Sequence, residues 1–200
     1  MKPEEAIIRL RGFRNWLLNE FQKDAYLKAV IGMSSQIKDR VQNKGLDKDG
    51  GLFTPYSTKP WFATEKSFVS GGWSKLQSLN TKEIKGEGSK EKKKAIKARK
   101  SLPLPGGYKQ ARELDGMKTD KKYFSRQGFM WRDFGVKKVE KNKITLGGKT
   151  EDGQDKIDWN SHREKKKIIE PSQEEIKFLT KQVNDAILQA LLATGIFKKK

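Results

Sequence analysis

The stretch FMWRDFGVKKVEKNKITLGG, Phe129 to Gly148, sets the fold class. Its apolar residues alternate through Phe129 and Trp131 into a segment ending at Val139, then resume at Ile144 and Leu146. Alternation with a period of two places these side chains on one face of a strand, and the tight EKNK connection at Glu140 to Lys143 returns the chain as an antiparallel hairpin. The other long apolar patterns have helical spacing. The expected fold is therefore α+β: an antiparallel sheet backed by a long N-terminal helical region and a C-terminal helix, with an extended basic arm.

Outward from the hairpin, residues 106–150 read as a short helix followed by the sheet. Gly106 and Gly107 form a turn, and Tyr108 to Leu114 is a short helix stopped by Gly116. Residues 151–200 read as a polar loop and a C-terminal helix. Ser172 with Glu175 three positions later is a capping box, which satisfies two backbone N–H groups at the helix start. Ile176, Leu179, Val183, Ile187 and Leu191 form the apolar stripe that follows, and Gly195 is its stop.

Residues 1–44 form the N-terminal helical region. Ile7, Leu10, Phe13, Leu17 and Phe21 recur at three- and four-residue steps, and the stripe then changes phase near Asp24 to Leu27, Val30, Ile37 and Val41. This predicts two consecutive helices or one bent helix ending before Gly45, with the stripe packed in the core. Residues 45–80 are rich in Gly, Pro, Ser and Thr, yet carry Leu52, Phe53, Tyr56, Trp61, Phe62, Phe68 and Trp73, too many apolar groups for a free linker. A packed aromatic loop is expected, and Phe53, Tyr56 and Trp61 are its candidate partner-binding residues.

Residues 81–105 contain TKEIKGEGSKEKKKAIKARK, which has too little apolar surface to build a core and reads as an extended basic arm closed by Pro103 and Pro105. Lys92, Lys93, Lys94, Lys97, Arg99 and Lys100 are its candidate contacts with a partner. The 200 residues suit one domain. Lys and Arg number 44 against 25 Asp and Glu, a net charge of +19, which draws the protein towards polyanions or acidic protein surfaces. There is no cysteine, which excludes disulfides, thiolate metal sites and thiol nucleophiles. The opening MKPEEAIIRLRGF is acidic where an export signal would be basic, so neither export by that route nor membrane insertion is expected.

No pattern asks for catalysis, a cofactor or a metal. His162 is the single histidine, in a basic, polar stretch that reads as surface. DKDGG at Asp47 resembles the start of a calcium loop, but Thr58 stands where the bidentate Glu is required. The glycines at Gly86 and Gly147 lack the lysine and helix of a phosphate loop.

GLDKDGGLFTPYS (Gly45 to Ser57), GYKQARELDGMKTDKKYFSRQGFMWRDFGV (Gly107 to Val136), the hairpin, and REKKKIIEPSQEEIKFLTKQVNDAI (Arg163 to Ile187) together resemble the tail-completion and head-tail joining proteins of tailed bacteriophages. The most specific elements are Asp47 to Ser57 and the series Tyr108, Arg112, Gly116, Thr119, Gly128 and Met130, and the likeness spans roughly half the chain. It implies a non-enzymatic virion protein, made in the host bacterial cytoplasm, that forms a homo-oligomeric ring at the head-tail neck. Portal, adaptor-ring or tail proteins are the implied neighbours. The basic arm itself is a candidate for nonspecific contact with genomic DNA, and no membrane contact is expected. The lysine-rich segment from Lys82 to Lys100 is longer and more basic than the family pattern, and 147–159 is unusually polar. The arm is expected to dock on an acidic protein face, because Ile84, Ile96, Leu102 and Leu104 offer apolar anchors. The alternative is a basic nucleic-acid-binding or DNA-packaging-associated protein.

Overall fold

The computed structural model describes residues 2–82, 84–124, 129–140 and 143–196, and the chain folds as two compact units, one of residues 1–51 with 123–200 and one of 52–122. It is α+β, with two-stranded antiparallel sheets among many helices.

In the first unit, α1 (Pro3–Asn19) leads through a wide helical turn at Gln22–Tyr26 into α2 (Leu27–Lys38), which ends in a second wide turn, Asp39–Lys44. Phe21 N–H reaches back five residues to the Trp16 carbonyl, and Tyr26 N–H to that of Phe21. One extra residue per turn rotates everything after it, the physical origin of the phase change seen near Asp24. Gly45 ends the run at φ 67°, a left-handed position that glycine adopts without steric cost.

The core of this unit collects on α2. Val30, Met33, Ile37 and Val41 are buried, and α2 packs on α8 (Gln173–Ala193) and on strand β3 (Phe134–Glu140). Strand β4 (Lys143–Gly148) pairs with β3 in the register Phe134↔Gly148 through Glu140↔Lys143, with a bulge at Lys137. The hairpin is where its alternation placed it, with one correction: Phe129–Asp133 is a short helix, α6, and not the start of the strand. Trp131, in α6, is buried and donates its Nε1–H to the Tyr123 carbonyl, 3.1 Å. Its ring meets Phe134 edge-on at 5.8 Å. Lys141, Asn142 and Gly128 lie outside the described residues, and so does the side chain of Phe129.

A second correction concerns 151–164, expected as a polar loop. It is helix α7 (Glu151–Glu164), whose N-cap Thr150 accepts from Gly153 N–H while Asp133 accepts from both the N–H and the hydroxyl of Thr150. Its single fully buried apolar side chain, Ile157, explains why no apolar stripe announced it.

The turn after Gly45 is held by Asp47. Its carboxylate accepts from the N–H groups of Gly51 (2.7 Å) and Asp49 (3.0 Å) and pairs with the Lys166 ammonium, so the carboxylate is already satisfied by the chain's own donors. The Lys166 partner and the two N–H groups hold the Asp47 carboxyl below its usual 3.8, and Asp47 holds Lys166 above its usual 10.5. The Asp47 contribution is thus complete above 3.8 and lost as pH falls through the lowered folded value; that of Lys166 is complete below 10.5 and lost as pH rises through its raised value. Asp47→Asn is expected to lower the thermal midpoint at neutral pH, with a difference from the parent that shrinks towards about pH 2. Thermal scans of both proteins across that range provide the check, and a pH-independent difference would show that the charge on Asp47 contributes nothing.

The second unit is built on β1 (Trp61–Thr64) and β2 (Ser101–Leu104), paired antiparallel from Trp61↔Leu104 to Thr64↔Ser101. Helices α3 (Gly72–Lys82), α4 (Ser89–Lys97) and α5 (Gly107–Leu114) complete it. Ala63, Leu76, Leu102, Leu104 and Ala111 form one buried cluster, with Phe68, Trp73, Ile96 and Leu114 packed against it. The stretches read as a loop (45–80) and an extended arm (81–105) therefore contain two strands and two helices. The arm's expected anchors Leu102 and Leu104 are buried in this cluster and Ile96 packs on it, so they are not offered to a partner.

Candidate functional site

Arg40 makes the most elaborate polar site of the first unit. Its Nε and Nη2 donate to the two carboxylate oxygens of Glu175 at 2.8 and 3.2 Å, Nη1 to the Leu46 carbonyl at 3.0 Å, and Nη2 to the Glu170 carbonyl at 2.8 Å. Glu175 also accepts from Ser172 N–H at 2.7 Å, while Ser172 Oγ accepts from Glu175 N–H. Both charges are buried, mutually paired and further hydrogen-bonded, an arrangement that fixes the N-terminus of α8 onto the wide turn Asp39–Lys44. His162 sits in the last turn of α7 and is exposed. Among the described residues no three His, Cys, Asp or Glu side chains gather in a way that could hold a metal ion.

The aromatic residues read as partner-binding separate into two groups. Phe53 and Tyr56 are buried, and the Tyr56 ring lies against Tyr108 at 5.8 Å with the Arg112 guanidinium 4.5 Å over its face. Their apolar bodies belong inside the fold, so the expectation that they face a partner is corrected. Trp61 is partly open, and Phe62, on the outer face of β1 opposite Pro103, is 71% exposed.

The basic residues form the most distinctive surface. The segment 89–97 is helical, so its lysines take fixed directions at 100° per residue. Ser89, Lys93 and Ile96 lie on the half-buried side against the core cluster, and Gln77 Nε2 donates to the Lys97 carbonyl at 3.1 Å, tying the end of α4 to α3. On the outer side, Lys90, Lys94 and Lys97 follow an i, i+4, i+7 row and are exposed. Lys92 projects from the opposite flank, and Arg99 and Lys100 follow the helix, exposed. Lys93, singled out from the sequence with its neighbours, is turned towards the packed side. Lys90 was missed, although its spacing to Lys94 and Lys97 identifies it once 89–97 is read as a helix.

The row is not neutralised from within. Lys28, Lys44, Lys138, Lys156 and Lys166 of the first unit each pair with a carboxylate, whereas among the described residues Lys90, Lys94 and Lys97 have no ion-pair or hydrogen-bond partner for their ammonium groups. Residues 52–122 hold 17 Lys and Arg against 7 Asp and Glu, so a net +10 of the chain's +19 falls within them.

A different kind of surface lies on the first unit. Phe13, Trp16, Phe21 and Tyr26 are in successive ring contact at 5.4 to 6.3 Å, Trp16 and Phe21 edge-on, and Arg9 Nη1 donates to the Thr194 carbonyl at the end of α8, 2.7 Å. No residue of α1 is fully buried, however: Ile7, Ile8, Leu10 and Leu18 are exposed, Ile8 to 68%, and so is Leu188 on α8. The expectation that the Ile7 and Leu10 stripe packs in the core is thus corrected. Among the described residues no helix is long and apolar enough to cross a membrane. No family model, no curated protein and no solved structure matches the chain.

Proposed function

We propose that this chain is a non-enzymatic structural subunit of a tailed bacteriophage particle, assembling with copies of itself into a ring at the head-tail neck. The observation that carries the reading is the uncovered apolar surface of α1 and α8, where Ile7, Ile8, Leu10, Leu18 and Leu188 stand open to solvent in the single chain. Several large apolar side chains left open along one helix of a strongly charged protein fit a subunit that buries them against neighbours. Cyclic assembly needs two different patches, one meeting the other on the next copy. The α1 and α8 surface supplies one, and the exposed Phe62 with Trp61 on β1 supplies a second. The likeness of Asp47 to Ser57 and Tyr108 to Met130 to the tail-completion family supports the same reading. Portal, adaptor or tail proteins are its proposed neighbours, and the virion its proposed location.

The expected result is that the chain co-purifies with particles of the phage that carries its gene at a small fixed copy number, and that Ile8→Glu with Leu18→Glu leaves the isolated chain folded but removes it from particles. Absence of the parent chain from purified particles would overturn the proposal. Normal incorporation of the double variant would show that the α1 surface is not the assembly interface.

A further inference from the structure

We infer that the outer face of α4 is a docking surface for duplex DNA, through its phosphate backbone and without sequence preference. Three features of that face favour it. First, Lys90, Lys94 and Lys97 are exposed in a row and unpaired, so their charge is available to an outside partner. Second, the row is held in place by Ile96 on the core cluster and by Gln77 on the Lys97 carbonyl, so little helix ordering remains to be done on binding. Third, the face has nothing apolar larger than Ala95, because Leu102, Leu104 and Ile96 are committed to the chain's own core. Protein interfaces need an apolar centre and are depleted of lysine there, whereas a phosphate backbone needs only positioned cations.

The dimensions agree. At 1.5 Å per residue Lys90 and Lys97 are about 10 Å apart along the helix. One DNA strand presents a phosphate about every 3.4 Å of axis, so the row spans about three phosphates. Lys92, Arg99 and Lys100 flank it and add to the field that brings DNA to the surface. Glu91, the sole acidic residue of the helix, directly follows Lys90 and lies about 100° around the helix from it. The inference does not depend on assembly into particles: it concerns the isolated chain and stands or falls separately.

The test is fluorescence anisotropy of a short random-sequence duplex with the full-length protein, from about 50 to 200 mM salt. Lys90→Gln, Lys94→Gln and Lys97→Gln combined keep helix propensity while removing the charges. Lys137→Gln, Lys177→Gln and Lys181→Gln combined remove the same charge from exposed sites of the other unit. The α4 triple is expected to weaken binding at least about tenfold at 200 mM salt and to reduce the slope of log K against log salt by about 2 to 3, since each phosphate contact contributes about 0.9. The control triple should stay within about twofold, and an α4 Lys→Arg triple should bind like the parent. Equal weakening by both triples would mean diffuse attraction and overturn the inference, as would no binding by the parent. Tighter binding to poly-glutamate than to DNA at equal charge would assign the face to an acidic protein instead, and overturn it too. Circular dichroism of each triple establishes that the fold is kept.

Discussion

Replacing Arg40 by Met is expected to destabilise the first unit by about 3–5 kcal/mol, because the Glu175 carboxyl is then left buried without its partner. The side chains of Arg40 and Glu175 are 11% and 4% exposed, so neither can turn to water without moving α8. Removing both charges at once, Arg40→Met with Glu175→Met, should recover most of the loss, since the desolvation of each ion disappears with it. Arg40→Lys should fall between: the charge is kept, but one ammonium cannot span both Glu175 oxygens and the carbonyls of Leu46 and Glu170. Urea unfolding of the three variants checks the order. A single Arg40→Met loss of under about 1 kcal/mol would mean that water reaches Glu175 and that the pair does not seal the start of α8.

The second large effect is expected at Gly107. It has φ 63°, and a Cβ there would come within 2.5 Å of the Lys59 carbonyl oxygen and 2.6 Å of the Thr58 carbonyl carbon. Both neighbours are backbone and cannot swing aside. Gly107→Ala therefore combines a left-handed conformation, about 1–2 kcal/mol, with overpacking, about 1–3 kcal/mol, and is expected to destabilise the second unit by about 3 kcal/mol. Gly116, after α5, is the matched control: it has φ 76° but no heavy atom within 4 Å of the added carbon, so Gly116→Ala should lose about 1–2 kcal/mol only. Equal losses at the two sites, measured by thermal unfolding, would show that α5 can withdraw from the 58–59 backbone.

Local rules carried the sequence reading where a few neighbouring residues settle the conformation. The capping box at Ser172 and Glu175, the left-handed stops at Gly45, Gly116 and Gly195, and the break in phase near Asp24 lie where their residues put them. The β3 and β4 hairpin lies where it was expected, but its burial runs along the ribbon and does not alternate by face: Phe134, Gly135, Gly147 and Gly148 are buried while Val139 is exposed. The α+β class followed from these. Helices without an apolar stripe in their sequence, α4 and α7, were read as arm and loop. In α7 one apolar side chain is fully buried, and in α4 only Ile96 packs inward, so their composition resembled polar loop and free arm. Their helicity is stabilised from outside the segment, by Asp133 on the cap of α7 and by Gln77 and the core cluster on α4.

The candidate surface divides in the same way. The sequence by itself determined that positive charge is concentrated between Lys82 and Lys100, that cysteine chemistry is absent, and that one histidine is available. Only the tertiary structure decided which lysines stand in a row, because direction around a helix exists once the helix is packed on one side. Tertiary structure alone also withdrew Phe53, Tyr56, Leu102 and Leu104 from the surface and left Phe62 and Ile8 on it. Apolar character gives the free energy gained on burial, but not which surface will cover it: that depends on contacts between residues far apart in the chain, such as Ala63 with Leu102 and Arg40 with Glu175.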